Sequence, residues 1–245
     1  EGIESINLAV HYSDQPGLGP AERKRPWEGQ EIGGFLQSPT MIYQALFEGL
    51  MISSPSTGNP VYGMAESYTV SKDMKTYTFK LRKNLKWSDG TPLTARTVVD
   101  SWLRNLNPET GSQYASLLTD VIVGAAEYNS GKAGPSAVQI KYIDLQTFQF
   151  TCSIPAPFAV SMLTHYAFSV VPLHVIKKYG ADWTLPEHWV SNGPYVLKEH
   201  TPNDKIVVEK NPNYWDAANV KIDQIVFYAV EDYATTYKMY LNGEI

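Results

Sequence analysis

The side chains best suited to hold a metal or attack a carbon are five histidines and one cysteine: His11, His165, His174, His188, His200 and Cys152. No two of the histidines form a His-x-x-x-His pair, the spacing that puts two imidazoles on one helix face, so no metal site is expected. Glu187-His188 lacks the second histidine, and each histidine reads as a satisfied surface or core residue. Cys152 ends the alternating run Thr147-Phe148-Gln149-Phe150-Thr151. That context predicts a buried structural thiol and not a nucleophile. A single cysteine cannot form an internal disulfide. The carboxylates of Glu231-Asp232 point to different sides of an extended chain and are expected to face solvent. There is no Gly-x-Ser-x-Gly elbow and no Gly-x-x-x-x-Gly-Lys phosphate loop. Gly17-Leu18-Gly19 fails the dinucleotide pattern, because position 22 is Glu22 and no strand leads directly into it. With no catalytic constellation, the residues favour a binder over an enzyme, and no cofactor is expected.

Composition narrows the class of partner. The chain has 245 residues, 43% hydrophobic and 18% charged, with a net charge of −5. This is a globular balance, and no apolar run approaches the ~18 residues of a spanning helix. The only basic block is Arg23-Lys24-Arg25, so nucleic acid is not an expected partner. Tyrosine is abundant, at 16 against 8 Phe and 6 Trp. Its apolar face and polar tip suit ligand contact, although most of these tyrosines read as half-buried strand residues. No charged-then-apolar leader opens the chain, so either the protein is cytosolic or a signal was removed before Glu1.

The elements that would position a site can be read from hydrophobic period. A strand is expected over Ile3–Val10, then a long Gly- and Pro-rich loop from Ser13 to Gly34. Pro39 fits the first turn of a helix with Ser38 as N-cap and an apolar face of Ile42, Ala45, Leu46 and Gly49. Tyr68-Thr69-Val70 and Tyr77 to Arg82 form a hairpin, with Tyr77, Phe79 and Leu81 inward. Thr94 caps a helix through Leu106 whose inward stripe is Val98, Val99, Trp102, Leu103 and Leu106. A second hairpin spans Val138 to Cys152, turning at Asp144-Leu145-Gln146. Pro155 and Pro157 open a helix carrying Phe158, Met162 and His165. Strands return at Gly193–Leu197, Ile206–Glu209 and Ile225–Val230, and Tyr233–Leu241 reads as a final helix. Helices and hairpins interleave without βαβ alternation, which predicts an α+β (mixed α/β) fold. Trp87, Trp102 and Trp215 are expected to be structural.

A known pattern then emerges from several pieces in order. They are Leu46-Phe47-Glu48-Gly49-Leu50, Tyr77 to Arg82 running into Leu85-Lys86-Trp87-Ser88-Asp89-Gly90-Thr91-Pro92, Ser101-Trp102, and Asn107-Pro108-Glu109-Thr110-Gly111-Ser112-Gln113-Tyr114-Ala115. Ser191-Asn192-Gly193-Pro194-Tyr195, Glu209 to Asp216 and Gly243-Glu244-Ile245 complete the set. From about residue 38 to the end, the chain resembles the oligopeptide-binding proteins of bacterial peptide ABC transporters, within the extracytoplasmic solute-binding family 5 for peptides and nickel.

The resemblance implies a periplasmic-binding-protein-like fold of two hinged lobes that enclose a ligand. It implies that this chain supplies the first lobe only, with residues 1–47 and 170–245 as its main subdomain and 48–169 as an inserted subdomain. On that view the chain is truncated before the second lobe and would bind ligand incompletely. The implied ligand is a short oligopeptide, held through its main chain with side chains in loose pockets. The implied partners are the membrane permease subunits, and the protein is expected to be a monomer located in the periplasm or at the cell surface. Tyr114 falls on a ligand-contacting tyrosine of the family. Its other reading is a packing residue at a helix start. Phe35, Leu36 and Gln37 fall on the segment that pairs with the peptide backbone, although Gly33-Gly34 stand where the family has an acidic residue. Other readings are a nickel, sugar or oligosaccharide ligand on the same fold, an enzyme, or a non-transport interaction protein.

Overall fold

The computed structural model describes residues 5–11, 37–230 and 232–245. Phe35, Leu36 and the expected loop from Ser13 to Gly34 lie outside them. In chain order the elements are β1 (Ser5–His11), α1 (Gln37–Leu46), β2 (Met51–Ser53), β3 (Pro60–Tyr62), β4 (Ala65–Val70), β5 (Thr76–Leu81) and α2 (Ala95–Leu106). There follow α3 (Ser116–Thr119), α4 (Ala125–Asn129), β6 (Ile140–Tyr142), β7 (Thr147–Thr151), α5 (Ala159–Met162) and α6 (Leu173–Tyr179). The last are β8 (Tyr195–Thr201), β9 (Lys205–Lys210), β10 (Gln224–Val230) and α7 (Tyr233–Leu241). Helices and strands are mixed without regular alternation, as the sequence predicts.

The strands form three sheets. One has the order β1-β10-β9-β8, with β1 parallel to β10 and the other pairs antiparallel. The second is the short β2-β3 pair, and the third has the order β4-β5-β7-β6, antiparallel throughout. In the third sheet, period-two alternation turns Tyr77, Phe79 and Leu81 of β5 and Phe148 and Phe150 of β7 to one buried face. The rings of Tyr77 and Phe150 stack at 5.3 Å. Helix α2 covers this face. Thr94 precedes it in an extended conformation, and its N–H donates to Thr97 Oγ1 at 3.3 Å. Val98, Val99, Trp102 and Leu106 are buried, as the stripe predicts. Trp102 sits edge-on to Phe148 at 4.9 Å and donates its indole N–H to the Phe168 carbonyl at 3.0 Å. Trp87 is equally buried. The Cys152 thiol is buried, and burial pushes its pKa up to about 11, which suits a structural residue.

Three local expectations need correction. The helix expected from Pro155 through His165 is only the four residues of α5, and Phe158 ahead of it is 46% exposed. His165 takes an extended ψ of 137° and caps the next short 3-10 turn, which stops helical continuation. Helix α1 begins at Gln37, so Gln37 is helical backbone and Ser38 is not the N-cap. Gly49 lies beyond the end of α1, in the exit toward β2. Glu231 lies outside the described residues, and Asp232 faces solvent as expected. It caps α7, with Oδ1 accepting the Thr235 N–H at 2.8 Å and Oδ2 the Thr235 hydroxyl at 2.6 Å. These bonds hold its pKa below the usual carboxylate range.

Candidate functional site

Two groups of residues stand out: an aromatic cluster around Tyr114, and a buried polar junction around Glu48. The cluster is built by three short stretches. Tyr114 follows the turn at Gly111, whose φ of 64° requires the left-handed region, and precedes α3. His165 and Tyr166 follow α5, and Tyr43 comes from α1. The Tyr114 ring lies 5.3 Å from His165 and meets Tyr166 edge-on at 5.6 Å. His165 stacks on Tyr166 at 4.1 Å, and Tyr43 stacks on Tyr166 at 5.9 Å. Tyr43 is buried, whereas Tyr114, His165 and Tyr166 are half-buried.

The cluster is polar as well as aromatic. Burial first, and then the neighbouring Tyr114 hydroxyl, push the Tyr166 hydroxyl far above its ordinary pKa. Burial also holds His165 below the usual imidazole range. Both groups are therefore neutral near pH 7, and the wall can offer neutral donors and acceptors but no charge. Such a surface offers hydrogen bonds without a formal charge. Tyr114 packs against His165 and Tyr166 just ahead of α3. Of the other expected site residues, Gln37 is the first residue of α1, and Phe35 and Leu36 lie outside the described residues.

The junction was not anticipated in the sequence. Glu48, only 4% exposed, lies in the exit from α1. Trp215 donates its indole N–H to Oε2 at 2.6 Å, and Tyr214 donates its hydroxyl to Oε1. The Arg82 guanidinium lies 3.7 Å from the centre of the Trp215 ring and donates to the Gly63 carbonyl at 2.8 Å. Burial pushes the Glu48 carboxyl up to about 7, and the two donors and Arg82 only partly offset this. Asn192 binds the Glu48 backbone from both sides. It accepts the Glu48 N–H at 3.2 Å and donates to the Glu48 carbonyl at 2.8 Å. The next residue, Gly193, donates to the Leu46 carbonyl at 2.8 Å. A Cβ at Gly193 would sit 2.6 Å from the Leu46 carbonyl carbon, so only glycine allows this approach. Asn211 donates to the Gly193 carbonyl at 2.9 Å. The stretches Leu46–Leu50, Ser191–Tyr195 and Asn211–Trp215, far apart in sequence, thus meet at one buried point. The signal available in the sequence was an acid enclosed by Leu46, Phe47 and Leu50.

His174 and His188 have structural partners. His174 Nε2 bonds Asp89 at 2.8 Å beside an open cavity of about 220 Å³ that none of the Tyr114 cluster lines. His188 stacks on Tyr179 at 3.7 Å and bonds the Asp182 carbonyl at 3.0 Å. Among the described residues no group of three or more His, Cys, Asp or Glu could hold a metal ion. No described helix is long and apolar enough to cross a membrane.

Comparison with known proteins places these motifs in context. Residues 59–245 match the bacterial extracellular solute-binding proteins, family 5, middle region. The periplasmic oligopeptide-binding protein OppA of Escherichia coli is 42% identical over 205 residues, covering 83% of this chain and 37% of that protein. A crystal structure of the oligopeptide-binding protein OppAIV from Borrelia burgdorferi superposes with a TM-score of 0.90 at 37% identity, covering 99% of this chain and 46% of the other. Haemophilus influenzae OppA in complex with the peptide RPPGFSPFR superposes with a TM-score of 0.87 at 32% identity, covering 99% of this chain and 45% of the other. The chain therefore spans less than half the length of these relatives.

Proposed function

The chain belongs to the bacterial extracellular solute-binding proteins of family 5, and we propose that it is the first lobe of the peptide-capturing subunit of an ABC importer. The subunit works outside the cytoplasm, as its periplasmic relatives do. It closes on a short oligopeptide and hands it to the membrane permease as a monomer. It performs no chemistry on the peptide. Residues 1–47 and 170–245 form the main subdomain, and 48–169 form the inserted one. Phe35, Leu36 and Gln37 pair with the peptide main chain, and Tyr114 contacts it from the inserted subdomain.

The observation that carries this reading is the neutral aromatic wall of Tyr114, His165 and Tyr166, in a chain that superposes on a peptide complex. A peptide backbone presents amide groups at regular spacing. Neutral hydroxyl and imidazole groups can bond them without selecting a side chain. Ring faces meanwhile pack against whatever side chains pass. Little sequence selectivity results, which suits a nutrient scavenger. The test is thermal unfolding of the full-length protein with a ligand panel. Tri- to pentapeptides should raise the melting temperature, since a ligand that binds only the folded state stabilises it. Stabilisation by Ni²⁺ or an oligosaccharide, with none by peptides, would replace the ligand class.

A further inference from the structure

The open cavity beside His174 touches neither the Tyr114 wall nor the Glu48 junction, and polar groups are left over in it. It lies where α2, with the turn ahead of it, meets α6, and ligand cavities favour such seams. Its volume of about 220 Å³ is small for a ligand pocket, which limits an occupant to one small ring or chain. Trp87 is only 1% exposed yet lines this cavity. Its indole N–H donates to no protein group among the described residues and is not sealed from solvent. A buried indole N–H ordinarily has a partner. Trp87 therefore holds a donor open at the cavity floor, which packing alone does not require. The rim supplies complementary groups. Arg96 and Asp100, four residues apart on α2, pair at 3.4 Å with both side chains still largely exposed. His174 donates its Nε2–H to Asp89 at 2.8 Å, because a carboxylate only accepts. In the neutral ring Nδ1 is then an acceptor, and it has no second protein partner. Pro92 and Leu173 add apolar surface.

We propose that this cavity is a second ligand site, independent of peptide capture, and that it takes a neutral polyol of single-ring size, a monosaccharide. Charge decides the class. Asp89 and Asp100 repel an anion that approaches Trp87 and Arg96, and Arg96 repels a cation that approaches Asp100. A zwitterion gains from both charges only by parting the Arg96–Asp100 pair. A hydroxyl both donates and accepts. Neighbouring hydroxyls of a sugar can therefore donate to Asp100 and accept from Arg96 while the pair stays closed. Another sugar oxygen accepts the Trp87 N–H, and the C–H groups of the ring cover Pro92 and Leu173.

The test follows the indole N–H signals of the full-length protein by NMR during titration with glucose, galactose and N-acetylglucosamine. The Trp87 signal is the one missing from Trp87→Phe. At least one sugar should shift that signal saturably. Asp100→Ala, on an exposed part of α2, should weaken the same sugar about tenfold, as expected for a hydrogen bond to a charged group, and leave peptide affinity unchanged. Should Trp87→Phe fail to fold, calorimetry of Asp100→Ala and Arg96→Gln with the sugars gives the same answer, since both should lose affinity. A Trp87 signal that no sugar moves, or a sugar affinity that Asp100→Ala leaves intact, overturns the proposal. A shift with glycine or inorganic phosphate and none with sugars overturns it too, because the ligand is then charged. Peptides titrated into the same samples report on the Tyr114 wall alone, so either site can fail without the other.

Discussion

Glu48 and Trp215, 167 residues apart in the chain, are joined by a 2.6 Å hydrogen bond from the indole N–H to a buried carboxylate oxygen. With Tyr214 on the other oxygen and Asn192 on the backbone, this contact ties the exit of α1 to two later segments. Arg82, at the end of the hairpin strand β5, covers the Trp215 ring. The junction therefore links the two regions assigned here to different subdomains. On the proposed function, lobe closure would require that link to be rigid, so that the lobe moves as one body.

The junction should make stability depend on pH. The Glu48 pKa rises from 4.5 to about 7 on folding, so folding takes up a proton between those values. Its contribution is fully present below the unfolded value and is lost as pH rises through about 7. Between pH 5 and 8 the wild type should lose about 2–3 kcal/mol relative to Glu48→Gln, which cannot titrate. Denaturant unfolding of both proteins at several pH values checks this. Parallel pH profiles would mean that Glu48 is already balanced by its donors.

Trp102 is fully buried between Phe148 and Phe168, and its N–H satisfies the Phe168 carbonyl. Trp102→Ala should cost about 3–5 kcal/mol through the cavity it leaves and the unpaired carbonyl. Chemical denaturation reads this directly. A loss below about 1 kcal/mol would mean that α2 and β7 collapse into the space.

Much of this packing was legible in the sequence. Alternation gave the inward face of β5, and helical spacing with Thr94 gave α2 almost to the residue, because both elements bury one face and expose the other. Local pattern is silent on contacts made across long separations. Nothing near Ser5 signals a parallel partner at Gln224. Glu48 alone reads as a surface acid, since its burial depends on donors supplied by residues 214 and 215. The α5 region misled for another reason. Its apolar residues hold helical spacing, but the His165 cap diverts the backbone after one turn. For the site, the resemblance singled out Tyr114, but neither period nor motif flagged His165 and Tyr166, whose significance lies in the rings they stack against.

Tyr114→Phe in the full-length protein should keep the ring contacts and remove the hydroxyl. Peptide binding should weaken by about 0.5–1.5 kcal/mol, with little change in unfolding. Calorimetry paired with a melting curve distinguishes the roles. Unchanged affinity with a lower melting temperature would mean that the hydroxyl serves only the packing of the cluster.

The account rests most heavily on peptide capture by the neutral Tyr114 wall. The most direct measurement is calorimetric titration of the full-length protein with an unrelated set of tri- to pentapeptides, alongside free amino acids. The account predicts saturable one-to-one binding of several peptides with dissimilar side chains, because recognition runs through the main chain. Absence of binding to every peptide by a folded full-length protein would contradict it.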